Sequence, residues 1–136
     1  FEKSKTVECG FKPIYFYNIR ENSITTDGFS DRKLDLLEMT DKMATSVEKL
    51  YPDLHDAVLR RQVYARFSTL NQTLYVKNSP KIKELRENLI NYIKKNKKAV
   101  LSNPNTPKRD HLAYKCLDLG FPIYRMSWGV YSKLNK

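Results

Sequence analysis

The sequence predicts a mainly α fold, a small bundle of about five helices preceded by a short two-strand β remnant. Three observations predict it. Apolar residues recur at helical spacing from Leu34 to the end of the chain. Only 4 Gly and 6 Pro punctuate the 136 residues, too few for the many turns of an all-β domain. Pro52, Asn78-Ser79-Pro80, residues 103–107 and Gly120 fall at breaks between the periodic stretches.

Each element can be justified in turn. Residues 5–10 (Lys-Thr-Val-Glu-Cys-Gly) and 13–19 (Pro-Ile-Tyr-Phe-Tyr-Asn-Ile) are rich in β-formers and flank Gly10 and Pro13. They read as two short strands, the second with Tyr15 and Tyr17 on alternate positions. Two strands alone are marginal in water, so the pair reads as the edge of a sheet whose remainder lies elsewhere. A polar stretch, residues 22–28, follows, and the period then changes from two to about 3.6. Ser30 is the expected N-cap of a helix carrying Leu34, Leu37, Ala44, Val47 and Leu50. Pro52 interrupts that helix and opens the next, whose stripe is Leu59, Val63, Phe67, Leu70 and Leu74. Asn78-Ser79-Pro80 starts a third, with Ser79 as cap. It carries Ile82, Leu85, Leu89 and Ile93 and is expected to run into Lys94, Lys95, Lys97 and Lys98, where cations suit a helix C-terminus. Residues 103–107 (Asn-Pro-Asn-Thr-Pro) form a loop, a short helix runs from Lys108 to Leu119, and Gly120 ends it. The last helix, from Pro122, places Ile123, Met126, Val130 and Leu134 on one face beside Tyr124, Trp128 and Tyr131. The organisation is thus residues 1–28 as β remnant and linker, and residues 29–136 as a helical domain.

Composition bounds function. The chain carries 25 Lys and Arg against 15 Asp and Glu, a net charge of +10. That surplus attracts anions over a Debye length of about 10 Å, and nucleic acid, anionic lipid and sugar phosphates all fit it. No apolar run approaches the roughly 20 residues of a spanning helix. Cys9 and Cys116 lack the spacing of a disulfide framework or a zinc site. His55 and His111 are isolated from them and from each other, which argues against a metal. Phe1 opens the chain without Met and with no signal peptide to read, so the sequence reads as either processed or cut from a longer polypeptide.

Residues 15–24, Tyr-Phe-Tyr-Asn-Ile-Arg-Glu-Asn-Ser-Ile, carry the most specific signal. With Phe29-Ser30 and Leu34-Asp35-Leu36-Leu37-Glu38 after them, they resemble the segment that follows the catalytic domain in bacterial family 2 glycosyltransferases of surface and capsular polysaccharide synthesis. The closing Phe121-Pro122-Ile123-Tyr124-Arg125 resembles the ends of such chains more loosely. The sequence departs from that pattern at Asn18 and Asn22, where relatives often have a basic residue and a glycine.

The resemblance implies a GT-A type catalytic domain N-terminal to this chain, a nucleotide-sugar donor, and a divalent magnesium or manganese ion held by an Asp-x-Asp motif. It also implies a lipid-linked glycan acceptor and a place at the inner face of the bacterial plasma membrane. No Asp-x-Asp pair occurs here, so the chain itself offers no catalytic residue, metal or cofactor site, and the expectation is an accessory domain.

Candidate contacts follow from residue chemistry. Arg20 can fork onto a diphosphate or pair with a neighbouring acid; Tyr15 and Tyr17 can stack on a sugar ring or pack one side of a strand. Lys94, Lys95, Lys97, Lys98, Lys108 and Arg109, with Trp128, suit an anionic membrane or a partner, or form a solvated face over a packed core. Two other classes of function compete with the accessory domain. The first is a basic nucleic-acid module, disfavoured because no helix gathers Arg, Asn and Gln at base-reading spacing. The second is a homodimer joined through the helical stripes.

Overall fold

The computed structural model describes residues 4–6, 8–12, 15 and 29–134. Among them it holds six α-helices: α1 (Asp35–Leu50), α2 (His55–Thr73), α3 (Pro80–Lys95), α4 (Lys97–Ser102), α5 (Lys108–Asp118) and α6 (Phe121–Leu134). The mainly helical architecture is as the sequence predicts. The β remnant is not found: residues 4–6 and 8–12 carry no strand, and the second expected strand lies, apart from Tyr15, outside the described residues.

The breaks follow local chemistry. Pro52 opens a 3-10 turn, Pro52–Leu54, that runs straight into α2. The Ser79 hydroxyl accepts from Ile82 N at 3.3 Å with Pro80 at the first helical position, the cap the sequence predicts. Gly120 takes φ 117° after α5, a conformation that strains any residue with a Cβ.

Two details differ from expectation. Ser30 makes no side-chain cap, because α1 is entered through a 3-10 turn, Asp31–Leu34, in which the Ser30 carbonyl accepts from Lys33 N at 2.9 Å. The third helix does not run on through Lys98. At Asn96 the backbone opens to φ −95° and ψ 4°, and the Asn96 amide donates to Tyr92 O at 2.9 Å. Side-chain competition for a helix carbonyl ends the helix without glycine or proline. Lys94 and Lys95 therefore close α3, whereas Lys97 and Lys98 open α4.

Helix α2 is the spine. α1 and α3 pack along it, α4 touches it, and α5 pairs with α6. The core gathers Val63, Leu70, Leu74, Leu89, Ile93, Val100, Tyr114, Leu117 and Tyr124. Several polar groups on the buried faces find partners within the bundle. Thr69 and Thr73 donate back to Ala65 O and Leu70 O. Arg66 forks onto both oxygens of Asp41 at 2.8 and 2.6 Å, tying α1 to α2, while its guanidinium stacks 4.0 Å from the Tyr92 ring centre.

Helix α6 has an aliphatic face and an aromatic one, and the domain covers the aromatic one. Its aromatic side turns inward: Tyr124 is 3% exposed, and Phe121 and Trp128 pack against the core. Ile123, Met126, Val130 and Leu134 point out, between 43% and 79% exposed. A large ring removes more area from water than an aliphatic side chain does, and the floor between α2 and α5 has room for rings.

Candidate functional site

Between α2, α5 and α6 runs a groove of about 470 Å³, within the roughly 300–1,000 Å³ range of small-molecule sites. Helix α2 supplies one wall through Arg60, Tyr64, Phe67 and Asn71, whose spacing of four, three and four keeps them on one face. Helix α5 contributes Asp110, Tyr114 and Cys116, and α6 contributes Tyr124, Trp128 and Tyr131. The floor is a ring cluster. Phe67 meets Tyr114 edge-on at 5.2 Å and lies 6.0 Å from Tyr124. Tyr64 and Tyr131 stand at the rim, each more than two-fifths exposed, and Trp128 lies 5.5 Å from Tyr131.

The floor is held by hydrogen bonds from its hydroxyls. Tyr124 donates to Asn71 Oδ1 at 2.7 Å and Tyr114 to Ile93 O at 3.2 Å. Burial pushes both phenols well above the ordinary tyrosine range, so both remain donors at neutral pH.

At one end the Asp110 carboxylate accepts from Arg60 Nη2 at 3.1 Å and pairs with Arg109 Nε at 3.4 Å, which leaves this end one positive charge in excess. Two buried polar atoms in the lining have no hydrogen-bond partner in the chain: Arg60 Nε and Gln72 Oε1. Leaving such an atom unpaired costs about 1–3 kcal/mol, so each stands to gain from a polar partner.

The sequence-predicted candidates are scattered. Trp128 and Arg109 join the groove. Lys94, Lys95 and Lys98 are exposed around the α3–α4 bend, and Lys97 pairs with Asp118 at the end of α5. Lys108 stands with His111, Leu112 and Lys115 round a shallow depression on α5. Tyr15 is 76% exposed, and Tyr17 and Arg20 lie outside the described residues. Sequence reasoning missed Arg60, Tyr64, Asn71, Gln72 and Asp110. The helical spacing of Tyr64, Phe67 and Asn71 was legible, but the meeting of Arg60 with Asp110, 50 residues apart, has no sequence signal.

Among the described residues no group of three or more His, Cys, Asp or Glu side chains is placed to hold a metal ion. Compared with protein-family models, curated proteins and solved structures, the chain matches none.

Proposed function

We propose that this chain is a non-catalytic accessory domain of a polysaccharide-building glycosyltransferase, and that its groove holds a short stretch of the acceptor glycan. One observation carries the reading: a wall of aromatic rings shares a groove with an unpaired buried donor, Arg60 Nε, and an unpaired buried acceptor, Gln72 Oε1. A sugar hydroxyl is both donor and acceptor, so a glycan of several units, long enough to span the roughly 18 Å of helix from Arg60 to Gln72, offers a separate hydroxyl to each atom whichever way the Gln72 amide is turned. A phosphate has only acceptors at neutral pH and serves Arg60 alone; an apolar ligand serves neither. The apolar faces of sugar rings meanwhile fit Tyr64, Trp128 and Tyr131, which are large, flat and incompletely covered. The resemblance over residues 13–50 supplies the setting, an enzyme whose metal and base reside in an N-terminal catalytic domain.

Trp128 is the only tryptophan and lines the groove, so the chain carries its own reporter. Titration with neutral and acidic bacterial oligosaccharides is expected to change Trp128 fluorescence saturably. Tyr64→Ala and Tyr131→Ala are each expected to weaken binding by about tenfold, the loss of roughly one stacking contact. A single-stranded oligonucleotide that perturbs Trp128 where no glycan does would replace this reading with the nucleic-acid one.

A further inference from the structure

We infer that the outward face of α6 rests on the surface of an anionic lipid bilayer. Ile123, Met126, Val130 and Leu134 are 43%, 73%, 60% and 79% exposed, spaced by three or four residues within α6, and thus form one continuous row. Single exposed apolar residues are ordinary on a soluble surface; an unbroken row along a helix marks a contact surface. The opposite face of α6, through Phe121, Tyr124 and Trp128, is fixed in the domain, so the row cannot turn inward without emptying the core.

Charge selects the occupant. Helix α6 contains Arg125 and Lys133 and no acid, and Lys133 follows Met126 by seven residues, which returns it to the side of the row. On the exposed side of α5, Lys108, His111 and Lys115 surround Leu112. The two acids of α5 are already engaged, Asp110 with Arg60 and Arg109, Asp118 with Lys97. A second copy packed row to row would set these cations against their own kind with no carboxylate in α6 to offset them. Lipid phosphates offset them, and the acyl boundary covers the row. Helix α6 has 14 residues, short of the roughly 20 a span requires, so it lies in the interface plane. This inference is independent of the groove.

The test is co-sedimentation of the full chain with vesicles of phosphatidylcholine alone or of phosphatidylcholine with one-third phosphatidylglycerol, at low and high salt. Expected are sedimentation with the anionic vesicles at low salt, loss at high salt, and little with neutral vesicles. The double variant Met126→Glu/Val130→Glu, checked for an unchanged helical spectrum, is expected to lower binding by about tenfold or more. Lys115→Gln/Lys133→Gln is expected to weaken binding to anionic vesicles by about tenfold while leaving the spectrum unchanged, and serves if the glutamate variant fails to fold. No sedimentation with anionic vesicles at low salt overturns the inference, as does binding that neither variant alters. A dimer in sedimentation velocity that the glutamate variant dissolves would assign the row to a second copy instead.

Discussion

Arg86 closes the open end of α2, and its removal is the sharpest test of how the bundle is held. The last carbonyls of a helix have no intrahelical partner, and α2 ends at Thr73 inside the domain. Arg86, 8% exposed on α3, reaches across to them. Its Nη2 donates to Thr73 O and, at 3.1 Å, to Val76 O; its Nη1 donates to Asn78 Oδ1; its Nε donates to Thr73 Oγ1 at 3.3 Å. The guanidinium also lies 5.3 Å from the Phe121 ring centre, joining α3 to the start of α6. Burial, with cationic Arg125 adding to it, pushes its pKa down, so the site costs something to charge.

Arg86→Met keeps most of the volume and removes the fork. Of its four acceptors, Thr73 O keeps the Val76 N–H, while Val76 O, Asn78 Oδ1 and Thr73 Oγ1 lose the Arg86 donor, at about 1 kcal/mol or more each, and the cost of burying the charge is relieved. The net expectation is a loss of about 2–4 kcal/mol. For a domain of this size that is a fall of roughly 10–25 °C in midpoint. Thermal and urea unfolding followed by circular dichroism read it directly. Arg86→Lys retains the charge but lacks the planar fork, and is expected to recover less than half of the loss. Arg86→Met within about 0.5 kcal/mol of the parent, the range of an ordinary surface substitution, would refute the reasoning.

Four further outcomes are expected. Arg66, donating to Asp41, holds that carboxyl below the usual range against the opposing effect of partial burial, so the pair stabilises the fold above the ordinary carboxylate pKa. Asp41→Asn should cost about 1–2 kcal/mol at neutral pH, and the gap from the parent should close as pH falls through the depressed pKa; a gap independent of pH contradicts the pairing. Tyr124→Phe leaves Asn71 Oδ1 without its donor and should cost about 1 kcal/mol by urea unfolding. Because the phenols of Tyr114 and Tyr124 are raised in the fold, they contribute stability below the ordinary tyrosine pKa that is lost as pH rises beyond it, and spectrophotometric titration should show both ionising only with unfolding. Gly129→Ala should stabilise by about 0.5 kcal/mol, the helix preference for Ala outweighing a contact with the tip of exposed Tyr75; a loss would mean that Tyr75, stacked on Arg125, cannot give way.

The legible parts of this fold are those governed by local chemistry. Pro52, Ser79-Pro80 and Gly120 each act through backbone geometry that one or two residues decide. The Asn96 break was not legible, because asparagine ends a helix only when its amide finds a carbonyl behind it. For α6, periodicity identified two apolar faces but not which the domain would cover, a choice set by the space beside Phe67 and Tyr114. The groove was legible only through Trp128 and Arg109. Its chemistry arises where Arg60 of α2 meets Asp110 of α5, 50 residues further on, in a groove that Gln72 and the rings of α6 also line, and such a meeting has no local signature.

The central claim is that the groove receives sugar hydroxyls on Arg60 and Gln72. Nitrogen-15 NMR of the full chain, titrated with oligosaccharide fragments of a bacterial surface polysaccharide, tests it most directly. The account predicts that the side-chain resonances of Arg60 Nε–H, Gln72 and the Trp128 indole shift together and saturate at one concentration. Shifts confined to the lysines around the α3–α4 bend, with these three unmoved, would contradict it.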